Sequence, residues 1–353
     1  MALRFARFCG EGIWQSASDF RPSVKILLVK LSSLGDIVHT LPVVQDMLAA
    51  MPDAQIDWVV EKAFAQLLTQ VDGIHRIIPC ELRRWRKSFW SAQTRTEWRA
   101  FKADLQKDSY DVVLDLQGLT KSAVVARLAR LAARGKRYAM ANQTDGSGYE
   151  APTRWVADVA IELEPHIHAV ARARRLTASA LDYSAELPEK MPDFGLKVKK
   201  SQSIRAQAAP EIIAFIHGSS RQDKTWPLQN WVELGQRLAA NGYQVVLIHG
   251  NAQELATSQA IAAQLASSIV LPLLSLDALT LELATCRGAI GVDSGVSHIA
   301  MALGLPLVQI YNFDTAWRTG PTHSAHQVSV FDQPAPTVDA VWQAWLQGAR
   351  GAP

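Results

Sequence analysis

Asp293 and Asp36 stand where this chain's chemistry would collect. Gly291 to Pro306 reads GVDSGVSHIAMALGLP, and Asp293 closes the apolar run Gly288 to Val292. Ser294, Gly295 and Ser297 follow, and a helical pattern begins at His298 and closes at Gly304. Strand, tight loop and helix in that order leave free amides at a helix N-terminus, which attract phosphate. Asp293 then falls at the carboxyl end of a strand, where open α/β sheets bind ligands. A similar unit lies near the N-terminus, where Lys25 to Leu31 leads into SSLGD, Ser32 to Asp36. Asp36 has two readings. Aspartate is among the best helix N-caps, and the local pattern by itself favours that. The other reading is a carboxylate over a cleft that accepts a proton from a nucleophile.

Three further constellations sit after strand-like runs. In HGSSRQDKTWP (His217 to Pro227), Gly218, Ser219 and Ser220 suit a backbone anion site. Arg221 and Lys224 add positive charge where a diphosphate could lie, and a solvated charged loop is the alternative. In HGNAQE, Glu254 has the chemistry to hold ribose hydroxyls. It also fits a helix first turn, where the macrodipole favours it. In LRRWRKSFW, Arg83, Arg84, Arg86 and Lys87 crowd a loop with Trp85 and Trp90 interleaved. That pattern is open to a phosphate or acidic-sugar site, a nucleic-acid patch, a membrane-surface patch or a solvated face. Gln117 and Lys121 in LQGLTKSA follow another strand and could line the same side.

His39, His217, His249, His298 and His323 are not at metal-ligand spacing, so no metal site is expected. The chain carries no phosphate-binding P-loop, no nucleophile elbow and no GxGxxG, which counts against hydride and acyl transfer.

These residues need a scaffold of strand ends. Continuously apolar runs at Lys25 to Leu31, Gln55 to Val60, Arg76 to Pro79 and Asp111 to Leu116 read as strands buried on both faces. Helical stretches such as Ile37 to Met51, Thr94 to Lys107 and Thr120 to Arg130 separate them. The alternation restarts with Ile212 to Ile216, Gln244 to His249, Ile269 to Leu274, Ala289 to Val292 and Leu307 to Tyr311. Helices at Leu228 to Asn241 and Ala252 to Ala266 lie between, and Val338 to Leu346 ends the pattern. This is the signature of parallel α/β sheets. The expected division is an extension over 1–23, read as a disordered tail, then a domain over 24–183. A Pro-containing linker over 184–210 and a second domain over 211–353 follow.

Composition narrows the function classes. The 353 residues suffice for two domains with full cores, and 48% hydrophobic with 20% charged content is ordinary for a globular protein. A net charge of +3 does not by itself imply nucleic acid. Cys9, Cys80 and Cys286 are scattered, which fits a reducing compartment. No apolar run reaches the roughly 18 residues of a membrane span, and the start lacks a signal-peptide core.

In this order KILLVKLSSLGDIVHTLP, WVVEKAFAQ, RRWRK, DLQGLTKSA, HGSSRQDKTWP and GVDSGVSHIAMALG resemble glycosyltransferase family 9, the ADP-heptose:lipopolysaccharide heptosyltransferases. The resemblance runs from about Val24 to the last helix. It implies a GT-B architecture, with two Rossmann-like domains facing a central cleft, and inverting transfer without a covalent intermediate. RRWRK with QGLTKSA points to the member that moves L-glycero-D-manno-heptose from ADP-heptose to Kdo of Kdo2-lipid A.

On that resemblance Asp36 is the general base. Lys224, Ser219, Ser220, Ser294, Gly295, Ser297 and His298 lie about the donor, with Glu254 on its ribose and Asp293 on its sugar. Arg83, Arg84, Arg86, Lys87, Gln117 and Lys121 lie about the acceptor. No cofactor is implied, since ADP-heptose is a substrate. The expected setting is cytoplasmic, peripheral at the inner membrane, with no nucleic-acid partner. Other readings are a sister enzyme acting on an already heptosylated core, a nucleotide-sugar epimerase and a non-catalytic nucleotide-sugar or RNA-binding module. The family often continues its late strand into a Gly-Pro-Thr loop, whereas here Tyr311 leads into Asn312, Phe313 and Asp314.

Overall fold

The computed structural model describes residues 23–184, 192–198, 211–322 and 324–350. The expected N-terminal extension except Ser23, most of the expected linker and His323 lie outside them. The first half contains β1 (Lys25–Val29), α1 (Leu34–Thr40), α2 (Pro42–Ala50), β2 (Gln55–Glu61), α3 (Lys62–Leu68), β3 (Ile74–Cys80) and α4 (Leu82–Lys87). It continues with α5 (Ala92–Leu105), β4 (Ser109–Asp115), α6 (Thr120–Leu128), β5 (Arg130–Met140), α7 (Pro152–Val156), β6 (Val159–Ile161) and α8 (Ala169–Leu181). The second half contains β7 (Ile212–Ile216), α9 (Leu228–Ala240), β8 (Gln244–Leu247), α10 (Ala252–Ala262), β9 (Ser268–Val270) and α11 (Leu276–Ala284). It ends with β10 (Gly288–Val292), α12 (Gly295–Ala302), β11 (Leu307–Tyr311), α13 (Ala316–Thr319), β12 (Gln327–Phe331) and α14 (Val338–Arg350).

Each half forms a six-stranded sheet, ordered β3-β2-β1-β4-β5-β6 and β12-β11-β10-β7-β8-β9. Every pairing within these two sheets is parallel. Counted from its own first strand, each sheet has the doubly wound order, so the winding reverses between β1 and β4 and again between β7 and β10. Ligands bind in the crevices that open at such reversals. The segments that follow these four strands carry Asp36, Gln117, Lys224 and Asp293.

The strand sequences follow from their surroundings. Ile212–Ile216 and Gly288–Val292 are buried at every position, because helices cover both faces. Leu27 and Val29 pack with Phe101 and Leu105 on one side of the first sheet, and Phe215 packs with Trp231 and Trp345 on one side of the second. A third core joins the halves: Ile26 and Leu28 share it with Ile37, Val38, Ile212, Ala214, Ile299 and Ala300.

At this junction α1 meets α12. A Cβ on Gly35 would lie 2.8 Å from His298 Cδ2, and a Cβ on Gly295 would lie 2.7 Å from Leu34 Cβ. Glycine at both positions lets the helix starts approach closely.

Several elements differ from the sequence reading. The basic stretch Arg83 to Lys87 is helix α4, not loop. The expected helix Ile37 to Met51 is two helices, with Pro42 opening the second because it has no N–H to continue the first. Helix α12 begins at Gly295, three residues before the expected start. The sequence reading lacks β5 and β12, whose apolar residues are interrupted by polar ones, and β6, whose apolar run is only three residues long.

Candidate active site

One cleft of about 200 Å3 is lined from the first half by Ser33, Asp36, His39 and Arg172 and from the second by Ser220, Lys224, Asp293, Ser294 and His298. Arg318 and Thr319 close one side, and Arg318 Nη1 donates to the Gly146 carbonyl across the two halves at 2.8 Å.

Asp36 is in the first turn of α1, and the N-cap itself is Ser33. The cap reading therefore shifts by three residues: Asp36 Oδ2 accepts from Ser33 N at 3.0 Å and from Ser33 Oγ at 2.8 Å. Its Oδ1 lies 4.0 Å from Lys30 Nζ and 4.0 Å from Arg172 Nη2, and 37% of the side chain is exposed. One oxygen fixes the rotamer while the other stays accessible. Burial would raise the pKa of this carboxyl, but the Lys30 charge and the Ser33 hydrogen bonds outweigh it and hold it below the usual value. The group is a carboxylate at neutral pH, as a proton acceptor must be.

Asp293 is in a different situation. It is 7% exposed, Lys224 Nζ donates to its Oδ2 at 2.5 Å, and His298 Nε2 lies 3.4 Å from its Oδ1. Burial works against its charge, but the hydrogen bond and charge of His298, together with Lys224, hold it well below the usual carboxylate range. Ser294 caps α12, its Oγ accepting from Ser297 N. Gly295 opens the helix with a free N-terminus on the cleft. Ser297 is fully buried and gives its hydroxyl to the Val292 carbonyl at 2.6 Å. It shapes the loop and, unlike Ser294, does not line the cleft.

A second pocket of about 520 Å3 adjoins the His217 to Pro227 loop and is lined by Gly218, Ser219, Trp226, Trp231, Asn251 and Glu254. That volume is ordinary for a small-ligand site. Glu254 takes the helix-start position of one of its sequence readings and lines this pocket. It sits in the first turn of α10 and accepts from Gly250 N at 2.6 Å, while its carboxylate packs against Gly218, where a Cβ would be 2.5 Å from Glu254 Cδ. Ser219 Oγ donates to the Asp293 carbonyl at 3.4 Å, tying the two loops together. Beneath them His217 is buried against Ser258 Oγ at 2.7 Å, and burial pushes its pKa down to about 4.

The basic residues divide. Arg84 is engaged by Glu81 and Glu97 and braces α4 against α5. Arg83 Nη2 and Lys121 Nζ both donate to Ser32 Oγ, at 3.2 and 2.8 Å, beside the Asp36 loop. Arg86 and Lys87 are exposed. Gln117 presents its amide oxygen to the Leu31 and Ser32 amides, each at 3.1 Å, and so holds that loop in place.

Sequence reasoning missed Lys30, His39, Arg172 and Arg318. Lys30 is 3% exposed, donates to the Leu116 carbonyl at 2.9 Å, and is pushed down to about 8 by burial. Arg172 comes from α8, more than a hundred residues from Asp36 in sequence, and is anchored on Thr144 Oγ1 at 3.1 Å. No local motif marks a lone arginine on a helix face. Lys30 alone had a signal, as a cation at the end of an apolar strand.

Among the described residues no helix is long and apolar enough to cross a membrane. The sequence profile described as glycosyltransferase family 9 (heptosyltransferase) matches residues 98–343. Lipopolysaccharide heptosyltransferase 1 of Pseudomonas aeruginosa is 38% identical over 294 residues, 82% of this chain and 78% of that one. The Escherichia coli heptosyltransferase WaaC solved with ADP superposes with a TM-score of 0.80 at 32% identity, covering 91% of this chain and 98% of that one. The same enzyme solved with ADP-2-deoxy-2-fluoro heptose gives 0.77 at 33% identity, with the same coverage. With two doubly wound halves around one cleft, this chain belongs to glycosyltransferase family 9, the heptosyltransferases.

Proposed function

We propose that this protein transfers L-glycero-D-manno-heptose from ADP-heptose to a hydroxyl of Kdo in Kdo2-lipid A, inverting the anomeric carbon. The observation that carries the reading is the pairing across one cleft of a half-exposed carboxylate, Asp36, with a cation and helix N-terminus, Lys224 and Gly295. The likeness to heptosyltransferase 1 relatives and to a structure holding a fluorinated ADP-heptose supports the donor and the acceptor.

In this mechanism the Kdo oxygen forms a bond to the anomeric carbon as the bond from that carbon to the ADP oxygen breaks. The hydroxyl proton passes to Asp36. The leaving diphosphate gains negative charge as the sugar gains oxocarbenium character, so fixed positive groups beside it lower the barrier. Lys224, the amides at the start of α12 and the Ser219–Ser220 turn serve that role, with Glu254 on the ribose. Asp293 and His298 contact the sugar. Asp293 also fixes the Lys224 ammonium. These groups do the charge neutralisation that a divalent cation performs elsewhere, so the reaction proceeds without one. Arg83, Arg86, Lys87 and Lys121 attract the acidic Kdo and lipid A phosphates, with Arg84 and Gln117 supporting them. An amphiphilic acceptor places the enzyme peripherally at the cytoplasmic face of the inner membrane.

The test is ADP release from ADP-heptose with Kdo2-lipid A, with a heptosylated acceptor alongside. Release that depends on the Kdo acceptor and persists in EDTA is expected. Release only with the heptosylated acceptor would move the assignment to a sister enzyme, and release with neither would overturn it.

A further inference from the structure

An apolar cavity of about 580 Å3 opens between α4, α5 and α6, outside the cleft described above. Its walls include Trp85, Trp98, Phe89 and Val124, and its rim carries Arg86, Arg95, Arg99 and Lys121. Phe89 is 56% and Val124 45% exposed, an unfavourable way to leave apolar groups unless something covers them.

Two polar side chains of the walls are already engaged. Trp85 Nε1 donates to Glu97 Oε2 at 2.8 Å, and Thr94 Oγ1 is bonded to Ser88 Oγ and Ser91 Oγ, each at 2.9 Å. An occupant therefore finds mostly carbon to pack against, from Trp85, Trp98, Phe89 and Val124. That fits a hydrocarbon chain better than a base or a sugar. The four cations at the mouth require the occupant's polar end to be anionic. Lys121 sets the position of that end, because the ammonium at the rim also donates to Ser32 Oγ at 2.8 Å, beside the loop that carries Asp36.

We propose that this cavity receives one ester-linked acyl chain of the acceptor glycolipid, with the phosphates resting on its cationic rim. The inference rests on the function proposed above and adds a tail-binding site to it. Val124→Glu and Phe89→Ser are the variants, since both side chains are largely exposed and neither touches the transfer site.

Initial rates are measured with Kdo2-lipid A in micelles and with its O-deacylated form, which keeps sugars and phosphates but lacks the ester-linked chains. For Val124→Glu, KM for the acylated acceptor should rise about tenfold, the loss of a few buried methylenes. Phe89→Ser should give a smaller rise. Kinetics with the O-deacylated acceptor should be unchanged, as should binding to phosphatidylglycerol/phosphatidylethanolamine vesicles that lack glycolipid. An equal rise with both acceptors, or none with either, would overturn the proposal. A parallel loss of vesicle binding would overturn it in favour of general membrane contact. Inactivity of the unmodified enzyme with both acceptors would defeat the proposed function itself, and this inference with it.

Discussion

Two aspartates face one cleft, at corresponding places in two similarly wound sheets, yet their surroundings fit them for opposite work. Asp36 follows β1, keeps 37% of its side chain exposed, and meets its nearest cations only at 4.0 Å. Asp293 follows β10, is 7% exposed, and is clamped by Lys224 with His298 beside it. The first has an oxygen free to take a proton. The second is so strongly held as an anion that a proton would have to displace its partners. Residue type and strand-end position are therefore insufficient to assign a base; free lone pairs and local charge decide it.

The contrast breaks most visibly through activity. Asp36→Asn keeps the shape and removes the basic oxygen, so kcat should fall about 10²- to 10⁴-fold while the dissociation constant for ADP-heptose, measured by calorimetry, stays within about twofold. A comparable loss of donor affinity would place Asp36 in donor binding instead.

Asp293→Asn should act first on stability. Leaving Lys224 without its partner costs about 3 kcal/mol at neutral pH. The sign with pH follows from the depressed pKa of Asp293. Stability from such a group is fully present above the unfolded-state value and is lost as pH falls through the lower folded value. The difference in Tm between variant and wild type should therefore be largest at neutral pH and shrink in strong acid. A constant difference would mean that the pair is not what holds the loop.

The smallest effect sharpens the Asp36 side. Lys30 opposes the protonation of Asp36. Lys30→Met should therefore move the acid limb of the kcat/KM profile to higher pH, with little change on the plateau. An unmoved limb would show that the Ser33 hydrogen bonds and Arg172 set the charge state without Lys30.

Legibility varied with how local each cause was. The buried strands β1, β7, β10 and β11 show as continuous apolar runs because both their faces are covered. β5 does not, since most of its residues are at least partly exposed and Arg130, Arg134, Lys136 and Arg137 interrupt its apolar residues. The loops at Asp36, Ser219 and Asp293 were legible because a strand end, small residues and a helix start are contiguous in sequence. Arg84 was read with its basic neighbours, and only the positions of Glu81 and Glu97 distinguish it from Arg86. In sequence Ser297 is indistinguishable from Ser294, and only the fold turns its hydroxyl inward to the Val292 carbonyl.

By itself the sequence determined the alternation of strand and helix, the two strand-end carboxylates and the presence of cations near each, because burial periodicity and turn chemistry act over a few residues. Tertiary structure alone decided that the two halves share one cleft and that Gly35 and Gly295 bring α1 and α12 together. It also decided that Lys30 and Arg172 converge on Asp36 while Lys224 and His298 hold Asp293. Charge and proton affinity depend on distances of a few ångströms between residues far apart in the chain, and those distances exist only once both sheets have folded and docked.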